Sequence, residues 1–141
     1  MGIGPQSHDH GLANQLGRVL LDRQIWLGKI DWRVRLMASL PPEYLMRRWN
    51  VAKQKPSYPC KTYASFQNWL FANMANKLEA VGHIERQYPD NDKGESNALF
   101  NVRLTDSGLA AKTRDLEAAK NAAPGSVLIV LLPGKLKRKT V

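Results

Sequence analysis

Asn68, Ala72 and Asn76 recur at four-residue steps, with Ser65 and Trp69 beside them. On a helix this spacing gathers them on one side. Side-chain amides in that position suit the paired donor and acceptor that adenine presents in the major groove, and a small Ala72 lets the helix come close. The chemistry on offer is recognition of base edges by hydrogen bonds. Ser65, Asn68, Trp69, Ala72 and Asn76 are therefore the candidates for base contact, with Thr62 and Tyr63 as candidates for phosphate contact.

Nothing around them suggests catalysis. The chain has no glycine-rich phosphate loop, zinc cluster, nucleophile–base pairing or convincing carboxylate dyad, so no enzyme, cofactor or metal is expected. His8-Asp9-His10 could bind a transition metal only adventitiously. Asp90, Asp92 and Glu95 lack the full spacing of a calcium-binding loop. Cys60 is the single cysteine; it excludes an intramolecular disulfide, fits a reducing cytoplasm and reads as structural or incidental. His83 reads as a surface strand residue.

The candidate residues need a helix, and the surrounding pattern supplies one. Phe66, Leu70, Met74, Leu78 and Val81 form an apolar face over Tyr63–Val81, opposite Ser65, Asn68, Ala72, Asn76 and Glu79. Thr62 or Ser65 would cap its start, and Gly82 suits the left-handed position after its end. His83–Tyr88 then reads as a strand, Pro89–Asn97 as a polar turn and Ala98–Leu104 as a second strand. Thr105-Asp106-Ser107-Gly108 opens an Ala-rich helix over 107–121, with Leu109 and Leu116 as its apolar residues.

Ahead of this stretch, Leu16, Leu20, Leu27, Ile30, Val34 and Met37 repeat at helical spacing through Leu12–Ser39, with Gly28 and Arg23 weakening the middle. One helix, or two with a break, is expected there, packed under the domain or used for dimerisation. Pro41 and Pro42 mark a boundary. Tyr44–Lys53 reads as a short basic helix and Lys55–Tyr63 as a loop. Of the four tryptophans, most are expected in the core and Trp69 at the edge of the 63–81 helix. The class is α+β, mainly α. Residues 1–11 read as a disordered leader, 12–123 as the folded domain, and 124–141 as an apolar segment with a short strand (126–132) and a basic tail.

Lys77-Leu78-Glu79-Ala80-Val81-Gly82-His83-Ile84-Glu85-Arg86, a polar turn, and Val102-Arg103-Leu104-Thr105-Asp106-Ser107-Gly108 together resemble the winged-helix domains of MarR-type and PadR-type bacterial regulators. The likeness covers roughly residues 70–110. It implies a winged helix-turn-helix that inserts helix 63–81 in the major groove of double-stranded DNA, lays the hairpin beside it, and regulates transcription or a mobile element. It also implies a homodimer reading a palindrome, in the cytoplasm and at the nucleoid when bound.

Charge qualifies that reading. The net charge is +9, which favours a polyanionic partner. Residues 62–123 nevertheless hold seven Lys/Arg against eight Asp/Glu, whereas residues 1–61 hold ten against four and residues 124–141 four against none. Phosphate contacts are expected from Arg47, Arg48, Lys53, Lys55 and Lys61, from Lys93 and Arg103 in the hairpin, and from Lys135, Lys137, Arg138 and Lys139 in the tail. Two alternatives stand beside specific DNA binding. One is protein–protein assembly or architectural binding, with 126–132 as a docking segment. The other is sequence-independent nucleic-acid binding through the basic flanks. No apolar run is long enough for a membrane span.

Overall fold

The helical pattern of the first forty residues breaks between residues 20 and 26, and this break organises the fold. In the computed structural model, which describes residues 3–89 and 99–121 and gives only the backbone of 3–10, α1 runs Ile3–Val19 and the chain then turns into β1, Leu27–Gly28. Helix α2, Lys29–Ser39, follows at once. The helix thus begins at Ile3 and passes through much of the expected leader, with Pro5 in its first turn, where a missing N–H costs little. His8, Asp9 and His10 lie on that stretch, outside the residues whose side chains are described.

The break resets the phase of the apolar pattern. Ile30 and Val34, expected on the core face with Leu16, are 59% and 58% exposed, while Trp32 and Leu36 are wholly buried. A single helix would have aligned Ile30 with Leu16; a strand between the two helices removes that constraint. Trp32 Nε1 donates to the Gly17 carbonyl at 3.0 Å, fastening α2 to the end of α1.

Leu40 takes an extended conformation before Pro41, and Pro42 opens α3, Pro42–Ala52, in its first turn. Tyr44, Leu45 and Trp49 are its buried residues. A loop over 53–62 leads to α4, Tyr63–Ala80, capped by Thr62, whose side chain accepts from the Ser65 amide at 3.1 Å. Phe66, Leu70, Phe71, Met74, Ala75 and Leu78 bury the core face of α4. Val81, expected with them, is 61% exposed because it lies past the helix end, where Gly82 (φ +79°) turns the chain away.

Strand β2, Ile84–Gln87, pairs antiparallel with β3, Asn101–Leu104, and β1 pairs with the other edge of β3, giving the order β1-β3-β2. Ile84 faces Leu104 and Arg86 faces Val102 on the inner side, and Glu85 faces Arg103 on the outer side. Helix α5, Asp106–Lys120, is capped by Thr105, whose hydroxyl accepts from the Gly108 amide and donates to the Gly82 carbonyl. Its buried positions are Gly108, Ala111, Asp115 and Ala119; Leu109 is 41% exposed and Leu116 only partly covered. None of the described helices is long and apolar enough to cross a membrane. The expected strand at 126–132 lies outside the described residues.

Helix α5 docks on α1 through a largely buried ion pair, Arg18 Nη2 to Asp115 Oδ2 at 2.8 Å, with His83 alongside. Burial, then the charges of Arg18 and Arg114, lower the pKa of His83 from 6.5. Burial raises the Asp115 pKa above 3.8 against the pull of Arg18. The signs are opposite in their consequences. Below pH 6.5 the unfolded chain protonates His83 before the folded one does, so stability falls as pH drops from 6.5 toward the folded pKa. Asp115 favours folding at pH below 3.8 and loses that contribution as pH rises through its folded value. Urea midpoints are therefore expected to drop between pH 7 and the low sixes and below, and His83→Gln is expected to flatten that slope. An unchanged slope in the variant would remove His83 from the account.

Candidate nucleic-acid interface

Helix α4 presents the face that the sequence pattern anticipates. Ser65, Asn68, Trp69, Ala72, Asn76 and Glu79 are all exposed. Asn68, Ala72 and Asn76 form one wall of a groove of about 420 Å³ between α4 and α2. Phe71, Ala75 and Phe100 line its apolar part, and Lys29, Arg33 and Arg86 supply its cations.

Contacts of Arg86 and Lys29 fix the groove. Arg86 Nη2 donates to Asn76 Oδ1 at 2.9 Å and pairs with Glu79 Oε1 at 3.2 Å, tying β2 to α4. The Arg86 guanidinium lies 4.7 Å from the Phe100 ring centroid, and Lys29 Nζ lies 5.5 Å from the same centroid. The Lys29 amide donates to the Phe100 carbonyl at 2.8 Å, so α2 starts where β3 is about to begin. Asn76 is therefore engaged through its oxygen, whereas Asn68 carries no such bond among the described residues.

Thr62 and Tyr63 do not stand ready for phosphate. The Thr62 hydroxyl accepts from the Ser65 amide and donates to Ser65 Oγ at 2.9 Å, so capping consumes it. The Tyr63 ring stacks on Phe66 (centroids 6.1 Å apart, 17° between planes) and packs by Trp49, in the apolar layer under α4. Trp69 is 40% exposed and meets Tyr58 edge-on at 5.8 Å. Burial, reinforced by the neighbouring Cys60 thiol, pushes the Tyr58 phenol up to about 12, so it stays neutral at physiological pH.

The expected basic rim divides. Arg48 folds over the Tyr44 ring at 5.5 Å and Lys53 over Trp49 at 5.7 Å. Lys61 Nζ donates to the Tyr58 carbonyl at 3.4 Å. Arg47, Lys53, Lys55 and Lys61 are exposed on α3 and the following loop, around the N-terminal end of α4, and none of the rim residues lines the groove. Arg103 points the other way. It pairs with Glu85 at 3.2 Å and lies 4.3 Å over Trp26 on the outer sheet face, where Arg23 also reaches Glu85 and Asp106. Strand alternation explains this: Arg103 lies between the fully buried Val102 and Leu104. Lys93, Lys135, Lys137, Arg138 and Lys139 lie outside the described residues.

No protein-family model, curated protein or solved structure matches this chain. Among the described residues no cluster of His, Cys, Asp and Glu could hold a metal ion. What the arrangement offers is hydrogen bonding and charge: exposed amides on a helix, an arginine held in place beside them, and two further cations across a groove.

Lys29 and Arg33 also line the groove, although the α4 pattern does not point to them. Their four-residue spacing on α2 is visible in the chain. They were obscured because Ile30 and Val34, their immediate neighbours, set the apparent face of that helix.

Proposed function

We propose that this chain binds double-stranded DNA, with α4 in the major groove and the β2–β3 hairpin beside it, as a winged helix-turn-helix. The observation that carries the reading is the division of α4. Its core face is filled by Phe66, Leu70, Met74 and Leu78, while Ser65, Asn68, Ala72 and Asn76 remain exposed along the opposite side. An α-helix fits the major groove, and amides there discriminate bases. The sheet order β1-β3-β2, with the hairpin directly after α4, supports the same arrangement. A homodimer would present two such helices to the half-sites of a palindrome.

Selection of binding sites from random duplex, using the full chain, tests this. An enriched motif is expected. Asn68→Ala is expected to relax preference at one position, by about 1–3 kcal/mol or roughly fivefold to 150-fold, while keeping the protein folded, since Asn68 is exposed. Absence of any enriched motif overturns specific recognition. In that event assembly with another protein is the better reading, and one observation favours it: Ile30 and Val34 stand a turn apart on α2, both more than half exposed.

A further inference from the structure

Of the four tryptophans, three are occupied by the fold and Trp69 is not. Trp32 is wholly buried and Trp49 nearly so. Trp26 lies under the Arg103 guanidinium. Trp69 stands exposed on α4, and Tyr58 meets it with the ring planes 75° apart, bracing the indole without stacking on it. Among the described residues no cation and no parallel ring covers it. Leaving so large an apolar ring in water forgoes the free energy of its burial.

Position separates Trp69 from the α4 amides. Asn68, Ala72 and Asn76 border the groove towards α2, whereas Trp69 meets the 53–62 loop through Tyr58. This part of the chain is basic: from Tyr44 to Leu78 it holds six Lys/Arg and no Asp/Glu. Two of those cations adjoin the brace. Lys61 Nζ donates to the Tyr58 carbonyl, and Lys53 lies over Trp49, whose ring is 6.5 Å from that of Tyr58. A carbonyl and a ring hold these ammonium groups without neutralising them. Both lysines are exposed, and neither pairs with a carboxylate among the described residues.

An open indole beside charged ammonium groups suits a flat ring joined to an anion. A nucleobase with its phosphates has that composition, and every base offers a π-face. Within a duplex those faces are covered by neighbouring pairs, so a base must be unstacked to offer one. We infer that Trp69 is a stacking platform for an unpaired base of a single-stranded nucleic acid, with Lys53 and Lys61 taking the flanking phosphates. The platform goes beyond duplex recognition by the α4 amides and does not depend on it.

The full chain is titrated with oligothymidylate and with an abasic strand of equal length, which keeps the phosphates and removes the bases. Tighter binding of oligothymidylate is expected, with quenching of tryptophan fluorescence. Equal affinity for the two strands overturns the platform, and this comparison needs no variant. Trp69→Ala is expected to lose about fivefold to 150-fold in affinity for oligothymidylate and to bind both strands alike. Trp69→Phe keeps an aromatic face and should retain part of the preference while losing the quenching. Full affinity in a folded Trp69→Ala protein, judged by thermal unfolding, overturns the platform. Lys53→Gln/Lys61→Gln should lower the slope of log affinity against log salt by about 1.4; an unchanged slope removes the lysines from the site. Oligouridylate is titrated alongside, and the tighter of the two identifies the strand as DNA or RNA. A duplex motif enriched without base-dependent single-strand binding would leave the α4 reading standing and the platform overturned. Single-strand binding without any duplex motif would do the reverse.

Discussion

Gly108→Ala is expected to destabilise the protein by about 3 kcal/mol or more, at the upper end of what overpacking costs. Helix propensity alone predicts the reverse, because alanine exceeds glycine by about 1 kcal/mol in a helix. Position decides the sign. A Cβ on Gly108 would lie 1.9 Å from the His83 carbonyl oxygen and 2.8 Å from its carbon. Both are backbone atoms, so no side-chain rotation relieves the clash. That carbonyl also accepts from the Thr105 amide at 3.0 Å, and the Thr105 hydroxyl donates to the Gly82 carbonyl. Turn, strand end and helix start would have to part together. Gly17 provides the contrast, since its added Cβ would meet chiefly Met74 Sδ, at 2.6 Å, near the flexible end of a side chain. Urea unfolding should therefore show a large fall in midpoint for Gly108→Ala and a much smaller change for Gly17→Ala. Equal or raised stability at Gly108 would contradict the packing described for the start of α5.

The second large effect is expected at Trp32. The residue is 0% exposed, its ring meets Phe71 edge-on at 5.1 Å, and its indole N–H satisfies the Gly17 carbonyl. Trp32→Ala should cost about 3–5 kcal/mol through lost burial and the cavity left behind. Much of a typical domain's 5–15 kcal/mol would be gone, so the variant should unfold near ambient temperature or be only partly folded. Trp32→Phe keeps the apolar bulk but abandons the Gly17 carbonyl, and should fall between the alanine variant and the native chain. Because Lys29 and Arg33 ride on the same helix, both variants should also perturb the groove. A loss under about 1 kcal/mol for Trp32→Ala, in reversible urea unfolding, would mean that α2 is not held as described.

Local signals made the second half of the chain legible. The period of Phe66, Leu70, Met74 and Leu78, the glycine at 82 and the Thr105 cap act within a few residues of themselves, and their elements lie within a residue or three of where the pattern puts them. Signals that depend on distant partners were not legible. A strand of two residues, β1, is defined by β3 some seventy positions later, and its existence is what rotated Ile30 and Val34 out of the core. Arg103 reads as a phosphate contact until Glu85 and Trp26 are seen to hold it on the outer sheet face. The α4 face was readable because one helix carries it whole. The groove was not, because it needs α2, α4, β2 and Phe100 together.

The pairing of the two ends of the domain bears on how it is made. Arg18 and Asp115 are 97 positions apart, and Lys112 Nζ reaches the Leu21 carbonyl across 91. On the ribosome, α1 and β1 therefore emerge long before β3 and α5 exist to cover them. The closing contacts form only when the last of these segments leaves the exit tunnel, and the side of α1 that α5 covers, Val19 included, stays open in the interval.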